Sequence, residues 1–248
     1  SALLSIDALR LAAQHFIDTS VEVVNSRYRL WHNDLAGEDL YWQYQCELKQ
    51  REASLGSTLG THGAGYVFRR QLFQPLASDT INDDFVLPMQ IVAQGYRSVQ
   101  ESRFTALEME SSNEDMDFKR RIRISAGNLQ QLIRLRGLLH PKHRGLAFTF
   151  ASGKALRVLM PFCMLIALLG SISLAFSSPW FALLALLQLA LYGLAAISVG
   201  LSIGQHKALA ALRYLVAGHL AGLWGSVRYA LRLERGRWSR VTASGGRP

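Results

Sequence analysis

The sequence predicts an α/β unit followed by an α-helical membrane segment, and three observations carry that prediction. Before residue 140, runs with helical spacing alternate with β-branched, alternating runs, the pattern of a mixed α/β fold. Residues 158–176 and 179–203 form two stretches without a single charged side chain, each long enough to cross a bilayer core as a helix. The formal charge is +9, with cations crowded before the first stretch and after the second, which predicts a hairpin with both ends cytoplasmic. The basic residues form no aromatic-interleaved stripe, so the excess charge is read as a membrane-facing feature and nucleic acid is excluded as a partner.

Taken in order, residues 6–16 (IDALRLAAQHF) have helical spacing, and residues 21–31 (VEVVNSRYRLW) alternate as a strand does. Residues 32–37 read as a polar loop. Residues 38–55 read as a long helix with Leu40, Tyr41, Tyr44, Leu48 and Leu55 on its buried stripe. Its aromatics, Tyr41, Trp42 and Tyr44, serve either the core or a sugar-stacking platform. Residues 96–102 and 104–110 read as two short strands, and residues 118–132 as a helix with Phe118, Ile122, Leu129, Leu132 and Ile133 on one face. Residues 138–154 form a basic, partly apolar connector, expected in the interface with Phe148 and Phe150 in lipid and Lys142, Arg144, Lys154 and Arg157 at headgroup level. Residues 207–231 are apolar on balance but carry four basic side chains. They read as an interfacial or re-entrant helix rather than a third span, because a third span would put the basic tail outside. The resulting division is 1–140 for the α/β unit, 141–157 for the connector, 158–231 for the membrane segment and 232–248 for a cytoplasmic tail. Of the two cysteines, Cys46 lies in the polar half and Cys163 in an apolar span, so neither a disulfide nor a zinc site is expected.

Three stretches carry chemistry. Residues 80–97 (TINDDFVLPMQIVAQGYR) place Asp83 and Asp84 just ahead of an apolar helical run. An acid there is either a cap suited to the helix dipole or a carboxylate poised to deprotonate a hydroxyl. Residues 56–65 hold four glycines around Thr58, Thr61 and His62. The absence of a following G-K-[ST] excludes a P-loop, leaving a tight turn or a backbone surface for a ligand. On the helix over 118–132, Arg120 and Arg123 are three apart and share a face. Two guanidinium forks there suit a diphosphate or, equally, lipid headgroups. Asp115-Met116-Asp117 spells a metal-binding D-x-D, but it stands at a helix start, where acids cap, and is not assigned to a metal.

The paired-acid helix followed by G-Y-R resembles the acceptor-side motif of family 2 glycosyltransferases. Residues 59–73 (LGTHGAGYVFRRQLF) are similar to that family's G-x-x-G-A segment, and residues 118–132 (FKRRIRISAGNLQQL) to a variant of its QxxRW helix. Together, in order, the blocks cover most of residues 20–140. The resemblance implies the acceptor half of a GT-A fold and an inverting transfer from a nucleotide sugar, a UDP-sugar in the first instance. The acceptor implied is a polysaccharide or lipid-linked sugar at the bacterial inner membrane, with the catalytic part cytoplasmic and membrane lipids as further partners. Asp84, with Asp83 as the second choice, becomes the general base. Arg123, matching the motif arginine, and Arg120 become the diphosphate ligands, and His62, Gly63, Ala64 and Gly65 line the acceptor channel. Gln of the motif is replaced by Arg120 and Trp by Ile124, so the acceptor-stacking role of that Trp, and processivity with it, do not carry over. A divalent metal, Mg²⁺ or Mn²⁺, is implied too. In that family the metal-binding D-x-D precedes a helix like residues 5–16, at which this chain opens, so its ligands are expected mostly outside the chain.

Two rival classes remain at this stage. A membrane adaptor would use Asp83 only as a cap and the arginines only on lipid, and would not need Asp84, Gly63–Gly65 and Arg123 to share one cleft. A glycoside hydrolase would need two carboxylates facing each other across a sugar, which two adjacent residues of one helix do not provide.

Overall fold

The structure, a computed structural model, describes residues 2–30, 36–109, 114–200 and 207–234. Four strands, β1 (Ala2–Leu4), β2 (Val21–Leu30), β3 (Tyr66–Phe68) and β4 (Arg97–Glu108), form one sheet in the order β1-β4-β2-β3. The central pair β2 and β4 is parallel, and both edges are antiparallel. Val23, Val24, Phe104 and Ala106 on the central strands are fully buried, which is what β-branched and aromatic residues on a covered pleat achieve. The two short strands expected over 96–110 are a single strand. Its register against β2 shifts between the Asn25–Gln100 and Arg27–Thr105 pairs, and that irregularity is what breaks the alternation in sequence.

Helix α1 (Ala8–His15) covers one side of the sheet through Ala8, Leu11 and Ala12. Helix α2 (Ala36–Ser54) follows β2. Its expected stripe is not the buried one: Tyr44 and Leu55 are exposed, whereas Glu52 and Lys49 turn inward to the glycine segment. The side chains of Leu40, Tyr41 and Trp42 lie outside the described residues.

Helix α3 (Asp83–Ala93) is buried along almost its whole length, through Phe85, Val86, Leu87, Met89, Ile91 and Val92. Pro88, inside the helix, has no N–H for the Asp84 carbonyl four residues back, and Thr61 supplies the donors to that carbonyl instead; Gly95 closes the helix with φ +104. Met89 and Phe85 join Leu59, Leu138, Leu146 and Phe150 in one core cluster. Phe150 therefore packs against Phe85 (ring centroids 6.4 Å apart) and is fully buried, correcting its expected place in lipid.

Helix α4 (Glu114–Arg134) is amphipathic in an unexpected sense. Phe118 and Ile133 are half exposed, Leu132 packs on the core cluster as expected, and the fully buried positions are Ala126, Gln130 and Gln131. Two short 3₁₀ turns lead to α5 (Gly145–Phe150), which runs through a π-helical turn over Ala151–Ala155 into α6 (Leu156–Leu174). Helix α7 (Pro179–Gly200) returns beside α6, and Gln188 donates across to the Met164 carbonyl (3.0 Å). Two helices, residues 145–174 and 179–198, are long and apolar enough to cross a membrane by length and composition. Helix α8 (Lys207–Ala230) packs on α4 as well as on α6 and α7. Gly225 makes the crossing possible, since a Cβ there would sit 2.3 Å from the Ile122 carbonyl oxygen.

Candidate active site

The site forms where the glycine segment, the start of α3 and the polar face of α4 meet. A hydroxyl network sets the segment. Asn25 on β2 donates to Thr58 Oγ1 (2.7 Å) and Ser98 Oγ (3.0 Å), and Thr58 donates to Ser98 Oγ (2.7 Å), all three buried. These bonds replace the water that the Asn25 amide N–H groups and the two hydroxyls lose on burial, and they tie residue 58 to both central strands. Gly60 has φ +64 and lies against the Phe85 ring, where a Cβ would come within 2.2 Å of the ring, so no other residue fits. Lys49 reaches in from α2 to donate to the Leu59 and Gly60 carbonyls (2.7 and 3.1 Å), and Glu52 accepts the Leu59 N–H (2.9 Å).

Thr61 then clips the segment to α3, donating from its N–H (3.1 Å) and its hydroxyl (2.5 Å) to the Asp84 carbonyl. Residues 62–65 make a tight turn, with Gly65 N–H bonded to the His62 carbonyl (3.1 Å). Gly63 faces the base candidate directly: a Cβ at that position would stand 3.2 Å from Asp84 Oδ2. His62 stacks on Tyr28 (centroids 3.7 Å apart), and its Nδ1 accepts the Ala64 N–H (3.2 Å). Burial first, then Lys49 and Arg120, pull the imidazole down to about 3, so it is neutral. That charge state and the accepting Nδ1 make it a fixed wall of the site rather than a proton carrier.

The two aspartates differ although adjacent. Asp83 is exposed, whereas Asp84 is half-buried. Burial, reinforced by Asp83, raises the Asp84 carboxyl, while Lys154 and Lys49 pull the other way. Tyr66 on β3 stands close enough to both acids that burial and their charges push its hydroxyl up to about 12.

Arg120 and Arg123 reach this cleft because α4 is stapled to the loop before α3. Gln130 accepts the Ile81 N–H (2.9 Å) and donates to the Asp79 carbonyl (2.8 Å). Asn82 donates to the Ile124 carbonyl (3.2 Å) rather than capping α3. Arg134 holds Asp79 (2.7 Å) and Thr80 (2.9 Å), and Arg123 donates to the Ile81 carbonyl (3.4 Å). Gly127 makes room, because a Cβ there would overlap the Asn82 amide. The result leaves Arg120 exposed as an electrostatic neighbour of His62, and Arg123 half-buried as a neighbour of Asp83 and Asp84.

His62, Gly63, Asp84, Asp83, Arg120 and Arg123 are thus brought to one place. Gly65 is turned away from the cleft, its carbonyl accepting from Ser26 (2.5 Å) and its Cα against Leu4. Tyr28, Tyr66, Lys49, Gln130 and Lys154 belong to the same neighbourhood and carry no motif that singles them out. Lys154, expected at headgroup level, instead holds its ammonium 4.3 Å from the Phe85 ring centroid. Among the described residues no three His, Cys, Asp or Glu side chains converge to hold a cation, so these residues do not fit a divalent metal and no step is routed through one. The side chains of Asp115 and Asp117 lie outside the described residues.

No known family profile and no curated protein matches the chain. Among solved structures, the chain is similar to a mannosyltransferase, PcManGT from Pyrobaculum calidifontis, in complex with GDP-mannose and Mn²⁺. The TM-score is 0.64 at 19% identity, over 93% of this chain and 62% of that one. The chain therefore spans less than two thirds of that protein's length, and over that span it shares that protein's fold.

Proposed function

We propose that this chain is the acceptor-side part of a membrane-anchored, inverting glycosyltransferase of family 2 type, with Asp84 as general base. The observation that carries the reading is convergence. A half-buried carboxylate at the start of a rigid helix shares one cleft with a glycine-lined backbone wall and two guanidinium groups. A membrane adaptor has no need of that arrangement.

The chemistry follows from the charges. An acceptor hydroxyl lies against Asp84, which takes its proton as the oxygen attacks the anomeric carbon of the donor sugar. The bond to the nucleoside diphosphate breaks on the opposite side, inverting that carbon. Arg123, with Arg120, stabilises the negative charge that grows on the leaving diphosphate. Gly63 keeps the Asp84 oxygen open to the acceptor, and neutral His62 on Tyr28 forms a flat wall beside it. The neighbour's complex with GDP-mannose supports a nucleotide-sugar donor in general, and its Mn²⁺ supports a divalent metal held by groups other than those described here. Helices α6 and α7 supply the membrane anchor, with both ends of the hairpin on the side of the active site.

Release of nucleoside diphosphate is the test, measured in membranes with a panel of UDP- and GDP-sugars and with Asp84→Asn beside the native protein. Turnover falls about a thousandfold or more in the variant, a loss of about 4 kcal/mol of transition-state stabilisation. Equal turnover in both removes Asp84 from the mechanism, and no turnover with any donor favours the adaptor reading.

A further inference from the structure

We infer that Thr61 and Pro88 together form a latch that sets the gap between the glycine-lined wall and the Asp84 carboxylate, which makes Thr61 a positioning residue of the reaction. This inference rests on the glycosyltransferase reading with Asp84 as base, and names a further residue on which that site depends.

Helix geometry supplies one half of the latch. In a regular α-helix the carbonyl of residue 84 accepts the N–H of residue 88. Residue 88 is a proline inside α3, so the helix has no donor to offer there. Thr61 donates to that carbonyl twice, from its N–H (3.1 Å) and from its hydroxyl (2.5 Å). A carbonyl oxygen has two lone pairs, and one residue of the glycine segment engages both. With an N–H at position 88, the helix would claim a share of that oxygen and the hold on the segment would weaken.

The other half is what the latch brings alongside. Gly60 lies on the Phe85 ring and donates its N–H to Met89 Sδ (3.1 Å), so the segment runs along the first turns of α3. Two residues past Thr61, Gly63 faces the carboxylate, where a Cβ would stand 3.2 Å from Asp84 Oδ2. The segment thus meets Asp84 at both ends, the main-chain carbonyl through Thr61 and the side-chain oxygen through Gly63. Asn25 and Ser98 fasten residue 58 to the sheet, and Lys49 and Glu52 fasten residues 59 and 60 to α2. Thr61 fastens the segment to the residue that carries the reacting group.

An acceptor hydroxyl has to enter between Gly63 and Asp84 Oδ2 and stand within hydrogen-bond reach of that oxygen. A misplacement of about 1 Å in such a gap costs on the order of a hundredfold in rate. Loss of the Thr61 hydroxyl widens the gap without touching Arg120 and Arg123, which belong to α4. The latch therefore acts on proton transfer and leaves the grip on the diphosphate as it was.

The experiment measures three quantities: turnover in membranes with whichever UDP- or GDP-sugar the native chain uses, the inhibition constant of the matching nucleoside diphosphate, and Tm of the purified full chain. Thr61→Val keeps the N–H and loses the hydroxyl. Its turnover falls about tenfold or more, and its inhibition constant changes less than about twofold. Thr61→Ser keeps the hydroxyl and stays within about threefold of native turnover. Pro88→Ala separates a latch from a group that merely satisfies a bare carbonyl, because it returns a helical N–H to that oxygen. In the Pro88→Ala background, Thr61→Val lowers Tm by less than it does in the native one, yet turnover still falls about tenfold. A turnover loss that shrinks along with the Tm loss overturns the proposal. So does native turnover in Thr61→Val, or turnover in Thr61→Ser as low as in Thr61→Val. Each of these leaves the Asp84→Asn comparison, and the reading it tests, intact. Should Thr61→Val not fold, Thr61→Ala takes its place. If no donor is turned over, that reading fails separately and amide hydrogen exchange decides on the latch. Faster exchange over residues 61–65 in Thr61→Val, with α3 as protected as before, supports it; no change, or an equal rise through α3, overturns it.

Discussion

Helices α3 and α4 both deliver charge to the same cleft, but they are held in place by different physics. Helix α3 is fixed by apolar burial on nearly every side, so Asp84 stands on a support that cannot rotate without opening the core. Helix α4 is held by Gln130 on the backbone of Asp79 and Ile81, by Arg134 on the side chains of Asp79 and Thr80, and by Gly225 of α8 pressed on its back. The acid is positioned by packing and the arginines by hydrogen bonds. Packing errors should therefore appear as lost stability, and staple errors as lost turnover in a protein that remains folded.

Met89→Ala gives the largest expected stability loss, about 2–5 kcal/mol, because Met89 is fully buried and accepts the Gly60 N–H at its sulfur (3.1 Å). Thermal unfolding in detergent measures it. A drop in turnover without a drop in Tm would break the comparison. Gln130→Leu comes next. It leaves the Ile81 N–H and the Asp79 carbonyl unpaired at about 1–3 kcal/mol, and turnover should fall by tenfold or more, at temperatures where the variant stays folded, because the loop before Asp84 loses its hold on α4. Unchanged turnover would show that Asn82 and Arg134 suffice. Arg123→Lys keeps the charge and loses the fork, so the inhibition constant of the nucleoside diphosphate should rise about tenfold with Tm nearly unchanged.

The last expected effect is one of pH. His62 titrates at about 3 in the fold against 6.5 in the unfolded chain, so below 6.5 the unfolded state binds the extra proton. The stability that neutral His62 contributes is complete above 6.5 and is lost as pH falls toward 3. His62→Gln should flatten that acid-side decline, which pH-dependent unfolding curves would reveal; an unchanged slope would mean that another group carries it.

The same contrast explains what the sequence made legible. Helix α3 could be read because burial writes itself as an unbroken apolar run, and a paired acid at its start is conspicuous. Arg120 and Arg123 could be found by spacing, but the inner face of α4 could not. Gln130 looks like a solvent-facing residue until the backbone it satisfies is brought against it, an event between positions about fifty apart in the chain. Tyr28, Tyr66 and Lys49 come to the site through strand pairing and helix packing, which no local periodicity encodes. Within the sheet, the expected break near Arg103 was a change of register inside β4, and alternation alone does not separate the two.

Phe150 bears on modularity. It completes the cluster around Phe85 and Met89 that supports the carboxylate, yet it belongs to the continuous helix whose far end is apolar enough for a bilayer. A fragment trimmed at residue 140 to obtain a water-soluble enzyme would lose Leu146 and Phe150 together, forfeiting about 3–5 kcal/mol at the aromatic position alone. The floor beneath Asp84 and the long apolar helix are one piece of scaffold, and neither can be excised as a cassette without the other.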